Sequence, residues 1–142
     1  MKGEKNLTKL IKYMRPVLDK REFVFSTVSF SERKKLNVNP ICEFQEKEGL
    51  TLILEKREAE GNKLKYSFDS KMINLSIHSD LNAVGLLAAI TNKLAENNIS
   101  VNVVSAFYHD HLFVSFDKAD EAIRLLEVTA REYAKTDSRL HR

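Results

Sequence analysis

The chain has 142 residues, 43% hydrophobic and 30% charged, which suits one compact domain or two small subdomains sharing a core. Its net charge of +3 is spread thinly: residues 1–70 carry fifteen basic and eleven acidic side chains, residues 71–142 eight and nine. Interleaved charges of that kind form a solvated face, not the dense one-sided footprint of a nucleic-acid binder, so no nucleic-acid partner is expected.

Leu7, Leu10, Ile11 and Met14 fall at i, i+3, i+4 and i+7, the stripe of an amphipathic helix that Pro16 stops. The lysines at positions 2, 5, 9 and 12 are not followed by an uninterrupted apolar stretch, so no signal peptide is expected. Glu22 to Val28 carries Phe and Val on both faces and reads as a central strand. Ser29 to Pro40 is polar, a loop or a short helical turn. Ile41–Glu46 and Leu50–Leu54 flank Lys47-Glu48-Gly49 as a hairpin, with the second strand half-buried. Cys42, the single cysteine, has no partner for an intramolecular disulfide, and a reducing cytoplasmic setting is expected. Glu55 to Glu60 reads as a short helix stopped by Gly61-Asn62.

Lys71 to His78 alternates, with Ile73, Leu75 and Ile77 on the apolar side. After Asp80 a helical stripe runs through Leu81, Val84, Leu87, Ala88, Thr91, Leu94 and Ala95 and closes at Asn97-Asn98. The longest apolar run, Val84–Ile90, falls well short of the ~20 residues of a membrane span, and a soluble protein is expected. Ile99 to Ser105 is a strand with Ile99, Val101 and Val103 on one face, and Leu112 to Phe116 is its return. Asp117 caps a last helix with the stripe Ala119, Ala122, Ile123, Leu126, Ala130 and Tyr133, and Thr136 to Arg142 is a frayed tail.

The second half therefore has the order β-α-β-β-α. Helices on one face of an antiparallel sheet make an α+β sandwich, and a ferredoxin-like βαββαβ unit needs one more strand. Without it the strand at Lys71–His78 has a bare edge, which an unpaired sheet tolerates poorly. The strands of the first half are the nearest fillers. The halves, residues 1–70 and 71–142, are thus expected to interlock.

The densest polar signal is Asn82-Ala83-Val84-Gly85-Leu86, followed one helix later by Val101-Asn102-Val103. Gly85 stands where a loop becomes a helix, whose first amides carry free N–H groups and the positive end of the dipole, suited to a carboxylate. Asn82 and Asn102 both donate and accept, which suits a free amino acid if they face one cleft. The same residues have plainer readings: Asp80 or Asn82 as helix cap, Asn102 bonding a loop carbonyl, Gly85 relieving crowding.

These blocks resemble the ACT domain, the regulatory module that binds amino acids and is attached to biosynthetic enzymes such as 3-phosphoglycerate dehydrogenase and aspartokinase. Arg15-Pro16-Val17-Leu18, Glu22-Phe23-Val24-Phe25, Glu48-Gly49-Leu50-Thr51-Leu52 and Tyr108-His109-Asp110-His111-Leu112-Phe113-Val114 extend the likeness to small prokaryotic proteins built from two ACT-like halves. The resemblance implies tandem ACT-like subdomains and non-catalytic amino-acid sensing without a cofactor. It also implies a homodimer, with a regulated enzyme as further partner. Its ligand loop maps to Asp80, Asn82, Ala83, Val84, Gly85 and Leu86, with Asn102 and Val103 on the neighbouring strand. Two positions depart from it: Val84 stands where many ACT loops have proline, and Asn82 where many have aspartate.

Two alternatives stay open at this level. A metal-dependent enzyme would draw on His78, His109 and His111, since His-x-His on a strand puts two rings on one face. A structural partner subunit would use no ligand at all.

Overall fold

A computed structural model describes residues 2–141. Helix α1 (Leu7–Tyr13) starts at Asn6, whose side-chain oxygen accepts from the Lys9 amide at 3.0 Å, and it buries Leu10 and Ile11. Strand β1 (Pro16–Val28) begins six residues before the expected Glu22. Its alternation is broken where Asp19 receives the Arg21 amide and guanidinium and the register against β4 shifts between Leu18 and Glu22. That charged bulge hides one long strand behind two short patterns.

Helix α2 (Phe30–Lys35) follows. Ser29 accepts from the Glu32 amide at 3.1 Å, the serine half of a capping box, in a segment expected to be a loop or a short helical turn. Strands β2 (Cys42–Gln45) and β3 (Leu50–Glu55) form the hairpin, and α3 (Lys56–Gly61) is the short helix. Then come β4 (Ser67–Leu75), α4 (Leu86–Glu96), β5 (Val101–Ser105), β6 (Asp110–Ser115) and α5 (Ala119–Leu140).

The six strands form one antiparallel sheet in the order β2-β3-β1-β4-β6-β5. β1 fills the place of the missing fourth strand beside β4, from Pro16 opposite Leu75 to Phe25 opposite Ser67. Reciprocally, β4 flanks the β1-β3-β2 set. Each half completes the other, as the bare-edge argument requires.

α1, α4 and α5 cover one face of the second half, around Ile73, Leu75, Leu112 and Val114. On the same face of the first half, Ala59 of α3 packs with Val24, Val28, Leu52 and Leu54. The opposite face carries Phe23, Ile53, Met72 and Phe113, a cluster without helical residues. Phe23 and Phe113 are nonetheless 1% exposed, because the sheet curls over this side. Residues at its two outer strands, Cys42 on β2 and Val104 on β5, line one cleft.

Several expectations need correction. β3 is buried on both faces, with Ile53 on the curled side and Leu52 and Leu54 beneath α3. The strand expected at Lys71–His78 spans Ser67–Leu75, and α4 starts at Leu86, with Leu81 and Val84 65% and 82% exposed. Its buried stripe is Leu86, Ile90 and Leu94. Asp117 lies in a 3-10 turn and caps nothing. α5 continues to Leu140 through the expected frayed tail, tied to α1 by Lys12 and Asp137 at 3.0 Å; Arg142 lies outside the described residues.

Candidate functional site

The segment between β4 and α4 is held from the N-terminal side. Glu4 donates its amide to the His78 carbonyl, and its own carbonyl accepts from the Asp80 amide, both at 2.9 Å. The approach is so close that a Cβ on Gly3 would stand 2.4 Å from the Asp80 nitrogen. Only glycine fits there. The Asp80 carboxylate accepts from the Asn82 amide at 2.8 Å, and that bond, with Lys5 at 3.9 Å, holds its pKa below the ordinary carboxylate value.

Gly85 is the N-cap of α4 at φ +100°, and no side chain caps the helix. The first intrahelical bond runs from the Ala89 amide to the Gly85 carbonyl. The amides of Leu86, Leu87 and Ala88 therefore lack intrahelical acceptors. These three residues line a notch of about 120 Å³. On its other side stands Asp110, the first residue of β6 and 4% exposed. Its carboxylate accepts from the Ser105 hydroxyl and, at 3.4 Å, from the Ser79 hydroxyl. Asp80 also borders the notch. One small cavity thus has an uncapped positive helix end and a buried carboxylate.

Of the residues singled out in the sequence, Asp80, Ala83, Gly85 and Leu86 line the notch. Asn82 is exposed, with its backbone N–H committed to the Asp80 carboxylate, and Val84 points to solvent. Val101 and Val103 turn into the helix-side core, so Asn102 between them projects from the other face, opposite Phe113. The two carboxamides do not share a cleft. Ser79, Ser105 and Asp110 were not singled out for this site. Asp110 stands between His109 and His111 in the sequence, and folding buries it next to two hydroxyls.

The three histidines stay apart from a common centre. His78 stacks near Phe107 and Tyr108, with ring centroids at 6.3 and 5.2 Å, and the His109 and His111 rings are 6.5 Å apart. Among the described residues no group of three or more His, Cys, Asp or Glu is arranged to hold a metal ion. Among the described residues, too, no helix is long and apolar enough to cross a membrane.

Sequence comparison matches the ACT domain to residues 2–71 and again to residues 67–128. Among solved structures, a protein of unknown function from Vibrio cholerae, described as a possible transport protein, is 43% identical. That match covers 89% of this chain and 97% of that one, with a TM-score of 0.77. The regulatory subunit of aspartate kinase from Thermus flavus shares the fold at 8% identity, covering 81% of this chain and 96% of that one, with a TM-score of 0.59. Aspartate kinase from Clostridium acetobutylicum shares it at 10% identity, over 82% of this chain and 34% of that one, with a TM-score of 0.66. No curated protein sequence matches the chain.

Proposed function

The chain belongs to the ACT-domain family of regulatory ligand-binding modules, and on that premise we propose that it is a non-catalytic sensor of a free amino acid. The observation that carries this reading is the pairing, in one notch, of the uncapped start of α4 with the buried Asp110 carboxylate. A zwitterion has complementary poles. Its carboxylate accepts from the amides of Leu86, Leu87 and Ala88, favoured by the helix dipole. Its ammonium donates to Asp110, with Asp80 adding negative potential at the rim. The small volume favours a short side chain or one that leaves through the mouth.

We read the chain as two units, residues 1–70 and 71–142, with the site in the second. The first offers no equivalent, since α2 has only six residues and a serine cap. Leu81, Val84 and Phe107 are exposed, and a second copy seated over these apolar side chains near the notch gives a homodimer with ligand near the seam. Ligand binding then shifts the subunit arrangement, and an enzyme partner in the cytoplasm reads that shift.

A ligand this small binds in the micromolar to millimolar range. The test is thermal melting against each of the twenty amino acids. At ten times Kd the correct one stabilises the protein by about 1.4 kcal/mol, or roughly 3–6 °C for a chain of this size. Asp110→Asn abolishes the shift while the unliganded protein still folds. If no amino acid at millimolar concentration moves the melt, the sensor reading fails.

A further inference from the structure

A second cavity lies on the curled face of the sheet, away from the notch. It measures about 410 Å³ and opens where the two outer strands face each other without pairing, a size usual for a small-molecule pocket. Its floor is Met72 and Phe113, opposite each other on β4 and β6, and its walls include Ile41 and Val104. An edge-to-face chain of aromatic rings, Phe113 on Phe25 and Phe25 on Phe68, fills the sheet behind it.

Two side chains on the cavity's own face, His111 and Asn74, offer acceptors. Glu43 borders the cavity, but opposite Leu52 in the register its carboxylate projects to the α3 side of the sheet, where the Arg33 guanidinium holds it. His111 lines it too, with Nδ1 3.4 Å from the Val104 carbonyl. A carbonyl only accepts, so in the neutral ring the proton sits on Nδ1 and Nε2 presents a lone pair. Asn74 stands opposite His111 in the register, and its Oδ1 is the buried side-chain polar atom that finds no hydrogen-bond partner among the described residues. A buried acceptor without a donor carries a desolvation cost that a bound donor relieves.

We infer that this slot between β2 and β5 binds a small molecule with an apolar body and a primary-amine head. The body packs on Met72, Val104 and Phe113, and the ammonium donates to His111 and Asn74 on the same face of the sheet. A carboxylate head finds no Lys or Arg among the lining residues to balance its charge and binds more weakly.

Cys42 lines the slot and is the chain's single cysteine, so its reaction with a neutral disulfide reagent reports occupancy of this site alone. The probe is phenethylamine and the control 3-phenylpropanoate, which keeps the ring and reverses the head. Phenethylamine at ten times its Kd slows Cys42 modification about tenfold, in proportion to the free fraction, and the carboxylate at the same concentration slows it less. Val104→Phe, which fills the slot from β5, abolishes the protection. Should that variant misfold, Ala106→Leu at the rim serves the same purpose. Asn74→Leu weakens protection by the amine. The inference is overturned if phenethylamine does not slow the reaction, if the two probes slow it equally, or if protection survives in the filled variants.

Discussion

At the scale of single residues, one backbone angle decides where the notch is. Gly85 sits at φ +100°, in the left-handed region, and its α-carbon faces Leu7 of α1, whose Cδ2 would be 3.1 Å from an added Cβ. Gly85→Ala therefore carries two costs, the left-handed strain of about 1–2 kcal/mol and a push on Leu7. We expect a loss in that range in denaturant unfolding, with amino-acid response falling further because the first amides of α4 tilt. An unchanged unfolding midpoint would mean the loop accommodates a side chain at no cost. Gly85 was legible from the sequence as a loop-to-helix hinge. Asn102 is not brought to the notch, because strand alternation puts it on the face opposite Val101 and Val103. Only apolar and polar spacing taken together assign the two faces of a strand.

Among the elements, hydrophobic periodicity revealed those whose pattern is unbroken and missed those held by polar contacts. α1, the β2–β3 hairpin and α3 were readable because their stripes and stops are local. The first part of β1 was hidden by the Asp19–Arg21 bulge, and the end of α5 by its polar composition. α5 extends because Asp137 meets Lys12 of α1, a pair whose side chains are each 24% exposed. Lys12 holds the Asp137 carboxyl below its usual value, and Asp137 holds the Lys12 ammonium above its own. The carboxylate's contribution is complete above the unfolded value of 3.8 and is lost as pH falls through the lowered folded one. The ammonium's is complete below 10.5 and is lost as pH rises through the raised folded one. Asp137→Asn should then lower the melting temperature by a small amount at neutral pH, since partly solvated pairs contribute little. The difference from the parent protein should vanish in acid. A difference that persists at low pH would assign Asp137 a role other than this ion pair.

For the whole molecule, the decisive feature is reciprocal strand exchange within one chain. β1 is the first strand of the N-terminal set and the fourth of the C-terminal set, and β4 mirrors it. A resemblance to tandem ACT units suggests two beads; the missing sixth element in the second half points instead to interlocking. The energetic consequence is a single cooperative unit. Residues 71–142 alone would lose the N-terminal part of β4, all of β1 and the Leu10, Ile11 and Met14 side chains that α1 and its C-cap bury against α4 and α5. What remains of β4 would present an unpaired edge and an uncovered apolar face, the combination that drives edge-to-edge association. The intact chain should unfold in one transition with coincident far- and near-ultraviolet circular dichroism. The isolated fragment should elute as oligomer or aggregate and lack near-ultraviolet signal, and adding residues 1–70 in trans should restore a one-to-one complex, because β1 can re-enter beside β4. A monomeric, well-folded fragment would show instead that the second set closes its own edge and that β1 contributes only to the first.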